Sequence, residues 1–169
     1  YIYVGFILVC YLHYYLAVLS DFSTKTINGK AEYLGVALIK YKQRRNYKYN
    51  LHSELVYDTG LSVKAPVANS FLEISASGRL VIKPGYAWDG PSSPAIDSKN
   101  FMQGSLIHDA LYQLMREEVL PQSARQRADE ILREVCLQDG MSSFRAWYVY
   151  QGVRIGGAKS AKPDLLTAP

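Results

Sequence analysis

The chain has 169 residues, enough for one domain with its own core plus additional segments. Hydrophobic residues make up 49%, in the range of globular proteins, and the formal net charge is +4, a mild basic bias that hints at an anionic neighbour. The only cysteines are Cys10 and Cys136, one in an apolar run and one in a predicted helix, which excludes a disulfide framework and a cysteine metal site.

Residues Tyr1 to Leu19 form an apolar run in which only His13 is strongly polar. Nineteen residues at helical rise span roughly 28 Å, close to a bilayer core, and aromatics crowd both ends. We read 1–20 as a single transmembrane helix. The alternatives are a secretory signal peptide ending near Ser20 and a helix buried against other subunits of a large assembly. Residues 21–50 form a basic, tyrosine-rich connector with a turn signal at Asn28-Gly29. Five of the 19 basic residues fall between Lys40 and Lys48. Such a patch can hold anionic headgroups, each cation contributing on the order of 1 kcal/mol.

Residues 51–87 carry short runs of branched and aromatic residues, Leu51 to Tyr57, Leu61 to Lys64, Phe71 to Ser75 and Leu80 to Ile82. Turn signals at Thr59-Gly60, Pro66, Ser77-Gly78 and Pro84-Gly85 separate them, which predicts a small antiparallel sheet with a hairpin at Ser77-Gly78. Residues 85–97, GYAWDGPSSPAID, are irregular because glycine and proline interrupt them. Three helices follow, over about 99–117, 122–138 and 142–155, with Asp97 or Ser98 and then Ser123 as candidate caps and Gly140 as a stop. The aromatic face of the third helix is read as core first and lipid-facing second, and Arg145 and Arg154 as solvated. Residues 158–169 read as a flexible tail. The predicted class is α+β: a membrane helix, a globular domain over 51–157 and that tail.

The chemistry concentrates in the first helix, at Leu106-Ile107-His108-Asp109-Ala110-Leu111-Tyr112. His108 and Tyr112, four residues apart, share a helical face, and Asp109 lies about 100° round from His108. A short connection near Pro121 makes the first two helices antiparallel, which brings Asp129 level with His108. A carboxylate beside a histidine fixes its tautomer and leaves the other ring nitrogen free to act as a general base. Asp109 would face the 86–94 loop, where a carboxylate and loop carbonyls could hold calcium and polarise an ester carbonyl. No phosphate loop, nucleotide fingerprint, zinc spacing or serine-hydrolase elbow is present.

His-Asp-x-x-Tyr on a helix, after a Gly/Pro loop and before a second Asp on an antiparallel helix, resembles the phospholipase A2 superfamily, closest to the compact versions in parvovirus capsid proteins. The resemblance implies that His108 activates water, that Tyr112 and Asp129 support it, and that Asp109 binds calcium. Trp88, Gly90 and Ser92 fall where that family's loop carbonyls bind the ion, and Asp89 is a further candidate ligand. The loop departs from the family in lacking its glycine-rich run. The broader pattern GYAWDGPSSP, HDALYQLMR, RADEIL, DGM and RAWYVYQGVR, over about 50–157, resembles an uncharacterised domain of tailed phages and prophages. The expectation is a membrane-anchored, phage-type lipid or ester hydrolase that uses calcium. The alternative is a non-enzymatic component of a virion or membrane assembly in which the cluster is a buried hydrogen-bond network. Membrane lipid and other subunits are the expected partners, and nucleic acid is not.

Overall fold

The structure is a computed structural model that describes residues 26–27, 30–31, 39–43, 49–90 and 98–163. The chain divides into a unit of residues 1–35 and a unit of residues 36–169. In the first, the described residues form an antiparallel pair, β1 (Thr26–Ile27) with β2 (Lys30–Ala31), on either side of Asn28-Gly29. The predicted membrane helix lies outside the described residues, as do Cys10, His13 and the basic residues 44–48. No helix among the described residues is long and apolar enough to cross a membrane.

The second unit is α+β. One antiparallel sheet has the order β3 (Tyr41–Gln43), β4 (Tyr49–Leu51), β9 (Ala87–Trp88). The other has the order β5 (Leu55–Asp58), β8 (Arg79–Ile82), β7 (Leu72–Ile74), β6 (Val67–Ala68). The run from Leu51 to Tyr57 is thus two strands in two sheets, broken at 52–54. The run from Leu61 to Lys64 is not a strand, although Val63 donates to the Ala76 carbonyl and tucks into the core. The hairpin at Ser77-Gly78 joins β7 to β8 as predicted. Inward positions of the larger sheet, Leu55, Leu72, Ile74, Leu80 and Ile82, alternate with more exposed ones and form one side of the main core.

Three helices follow: α1 (Lys99–Arg116), α2 (Arg125–Gln138), entered through a 3-10 turn at Gln122–Ala124, and α3 (Ser143–Gly156). Ser98 occupies the cap position of α1, but its hydroxyl donates to Asn100 and caps nothing. Ser123 falls inside the 3-10 turn and does not cap α2. Ser142 does cap α3, accepting from the Arg145 amide. Helix α1 buries 13 of its 18 residues, so it is enclosed on nearly every side. Gly104 allows α2 to approach: a methyl group there would lie 2.9 Å from Cys136 Sγ and 3.2 Å from the Leu132 carbonyl oxygen. Part of the segment read as a flexible tail is tied down. Arg116 donates to the Ser160 carbonyl, Gln122 to the Ala161 carbonyl, and Ala161 is fully buried.

Gly78 sits at φ +82°, and a β-carbon there would meet the Leu61 carbonyl oxygen and the Thr59 hydroxyl. That hydroxyl is buried and already donates to the Gly78 carbonyl. Gly78→Ala should therefore lower the unfolding free energy by about 2 kcal/mol in urea melts. Gly152→Ala, in an exposed turn of α3 with nothing within 4 Å, should instead leave stability equal or raise it by up to ~1 kcal/mol.

Candidate active site

His108 lies on α1 about two turns before its end, and Asp129 lies one turn into α2. The short connection folds the helices back on each other. Glu118 takes a left-handed conformation, φ 58°, and the amides of Val119 and Leu120 both return to the Leu114 carbonyl. The antiparallel hairpin then sets Gly104 beside Leu132 and His108 beside Asp129.

The Asp129 carboxylate is the centre of the cluster. It is fully buried, a costly place for a charge unless donors surround it. Its Oδ1 is 2.8 Å from His108 Nε2 and accepts from the Tyr112 hydroxyl at 2.7 Å. Its Oδ2 accepts from Arg154 Nη1 at 2.9 Å, and Arg125 Nη1 lies 3.9 Å from the same oxygen. Burial pushes the Asp129 carboxyl up, but the bonds from His108, Tyr112 and Arg154 outweigh it and hold the group below the usual carboxylate range. The His108 and Tyr112 rings pack face to tilted face, with centroids 4.0 Å apart. Burial disfavours a charged His108, yet the neighbouring carboxylates Asp109 and Asp129 together raise it above the ordinary imidazole value. Burial, followed by the bond to Asp129, also raises the Tyr112 phenol.

With Nε2–H committed to Asp129, the neutral imidazole presents its lone pair at Nδ1. Asp109 Oδ1 lies 4.0 Å from Nδ1, an ion-pair separation too long for a direct hydrogen bond. The Asp109 side chain is 36% exposed, so it forms the solvent-facing edge of the cluster. Its charge, acting after the larger effect of burial, raises the Tyr86 phenol, which puts Asp109 on the side of the loop that begins there.

The hairpin thus brings His108, Tyr112 and Asp129 together, with Asp109 beside them. The remaining predicted ligands sit differently. Trp88 belongs to β9, pairs with Tyr49 across the sheet, and donates its indole N–H to Ser105 at 3.3 Å. Asp89 is exposed. Gly90, at φ +71°, presses against the Tyr49 ring, where a β-carbon would sit 2.5 Å from Cε2. Ser92 lies outside the described residues. Among the described residues, no three His, Cys, Asp or Glu side chains could hold a metal ion together.

Arg154 is the participant that sequence reasoning missed: it was read as solvated, and it binds the buried carboxylate. Nothing local marks it, because 25 residues separate the partners. Arg125 could have been found, since it precedes Asp129 by one helical turn. Its guanidinium also reaches the Val153 and Arg154 carbonyls and so caps the end of α3.

A family model described as a protein of unknown function, DUF1353, matches residues 67–153, just over half of the chain. The chain belongs to the DUF1353 family. The match runs from β6 through most of α3 and contains His108, Asp109, Tyr112, Arg125 and Asp129. Arg154 falls one residue beyond it. No curated protein and no solved structure matches the chain.

Removing Asp129 leaves buried donors without an acceptor, so Asp129→Ala should cost about 3–5 kcal/mol of unfolding free energy. The pH dependence has two arms. The lowered Asp129 carboxyl contributes stability that is fully present above 3.8 and is lost as pH falls through its lower folded value. The raised His108 imidazole contributes stability that is fully present below 6.5 and is lost as pH rises through its higher folded value. Wild-type unfolding free energy should therefore peak between those two values, and Asp129→Asn should flatten both arms in a pH series of urea melts.

Proposed function

We propose that this DUF1353 protein is a hydrolase that cleaves an ester, in a lipid or a related substrate, with His108 as general base and Asp129 as its orienting carboxylate. The observation that carries the proposal is the 2.8 Å contact between His108 Nε2 and a carboxylate that is itself fully buried and multiply bonded. Such a carboxylate fixes the tautomer, stabilises the imidazolium and does not itself take the proton.

In the proposed reaction a water within reach of Nδ1 gives a proton to His108 as its oxygen attacks the ester carbonyl carbon. The carbon–oxygen bond to the leaving alcohol then breaks, and the alkoxide recovers the proton from the imidazolium. Asp109, at the exposed edge, favours the imidazolium and orients the attacking water. Calcium takes about six to eight oxygen ligands. Among the described residues no three His, Cys, Asp or Glu side chains could hold the ion together, and no step is routed through it. Membrane anchoring through residues 1–20 would hold this chemistry at a lipid surface.

The test is hydrolysis of a short-chain phosphatidylcholine and of a p-nitrophenyl ester by the full chain. The rate should rise with pH to a midpoint above 6.5, as the raised imidazole loses its proton. His108→Gln should lower the rate about 100-fold or more, and Tyr112→Phe by only a few fold. Absence of turnover with both esters, or turnover unchanged by His108→Gln, rejects the proposal.

The second reading is structural: the same network fixes the helix hairpin in a component of a virion or membrane assembly, of phage type, without catalysis. It is favoured by the burial of the His108 side chain, 9% exposed. It requires that His108→Gln lower stability and assembly while neither ester is turned over by the wild type.

A further inference from the structure

The outer face of α3 is the least satisfied surface in the described fold. Phe144, Trp147, Tyr148, Gln151 and Ile155 recur at helical spacing on one side. Phe144 is 76% exposed, Trp147 48%, Tyr148 50% and Ile155 83%. The opposite side supplies Ala146 and Val149 to the smaller core, where Phe101, Leu132, Cys136 and Met141 meet them. A surface helix ordinarily turns charged and polar residues outward. Here Gln151 is the only polar side chain on the outer face.

We propose that this face docks on an anionic lipid bilayer. The charge around it supports that occupant. Arg154 is bound to Asp129 and Arg145 lies over the Phe101 ring, so the charge available near the face comes from the two lysines that follow the helix. Lys159 and Lys162, just past the end of α3, are both exposed. An apolar, aromatic face followed by exposed lysines is a pattern of helices that lie in the membrane interface: Trp and Tyr sit at headgroup depth while aliphatic and Phe side chains reach the acyl boundary. A second copy of this chain fits less well, since pairing the face with itself brings like charges together. A single-stranded nucleic acid would stack on aromatics, and the most exposed side chain here, Ile155, has no ring to offer. The inference rests on α3 alone and is independent of whether His108 is catalytic.

Trp147 is a built-in reporter. The chain has two tryptophans, and the other, Trp88, is only 2% exposed. The apolar residues 1–19 contain none, so their own contact with a membrane is not itself reported, and the comparison of wild type with the α3 double variant isolates the contribution of this face. The full chain is mixed with vesicles of phosphatidylglycerol and phosphatidylcholine that contain a lipid with a spin-labelled acyl chain. Tryptophan fluorescence should be quenched, with less quenching on pure phosphatidylcholine and none in Trp147→Phe. Phe144→Asp with Ile155→Asp should weaken partitioning of the reporter about tenfold or more, while circular dichroism confirms that α3 remains folded. Equal quenching in the wild type and the double variant overturns the proposal. So does an unquenched Trp147 whose emission shifts with protein concentration alone, which indicates self-docking, or one that responds to single-stranded RNA and not to vesicles.

Discussion

The structure of this protein depends on one buried carboxylate. Asp129 has no solvent, and a lone charge in such a place would not persist. It is tolerated because two other helices deliver donors to it, His108 and Tyr112 from α1 and Arg154 from α3, while Arg125 on its own helix adds a positive charge 3.9 Å away. Each donor requires its helix to sit in one place. The carboxylate therefore ties the register of the α1–α2 hairpin to the position of α3, and the same contacts that hold the helices together make His108 a base with a defined tautomer.

That arrangement needs close packing around it. Helix α1 is nearly enclosed, with the sheets on one side and α2 on the other, and Gly104 removes the side chain that would hold the two helices apart. On the sheet side, Tyr41 packs edge-on against Tyr49 and Trp88, and Trp88 reaches α1 through its bond to Ser105. Gly90 lets the chain leave β9 directly over the Tyr49 ring. Residues at the start of the 85–97 loop are thus engaged in joining sheet to helix, and Asp109 stands at the boundary between this packed side and solvent.

Helix α3 works in two directions. Its inner edge sends Arg154 to Asp129 and receives a cap from Arg125. Its outer face presents aromatics and Ile155 to the surroundings. A contact made on the outer face would therefore bear on a helix that also supplies a donor to the buried carboxylate, so binding at that surface and the geometry around His108 share one rigid element.

Much of this was legible in the sequence because it is local or follows from simple folding back. The α+β class, the hairpin at Ser77-Gly78, the three helices and the level placement of His108, Tyr112 and Asp129 all rest on short-range periodicity, turn chemistry and one short antiparallel connection. The split of Leu51 to Tyr57 between two sheets was not legible, since periodicity marks a strand but not its partner. Nor was the pairing of Trp88 with Tyr49 in a sheet, or the approach of Gly90 to the Tyr49 ring, since both partners are distant in sequence. For α3, apolar residues lie almost all round the helix, so the pattern names no inward face, and an aromatic stripe that read as core is the exposed side. The sequence by itself determined which residues could form a histidine–carboxylate pair, because helical geometry and a short turn constrain them. Only the tertiary structure decided that Asp129 is fully buried and that Arg154 completes its shell, because both depend on where a third helix packs, and no spacing along the chain encodes that.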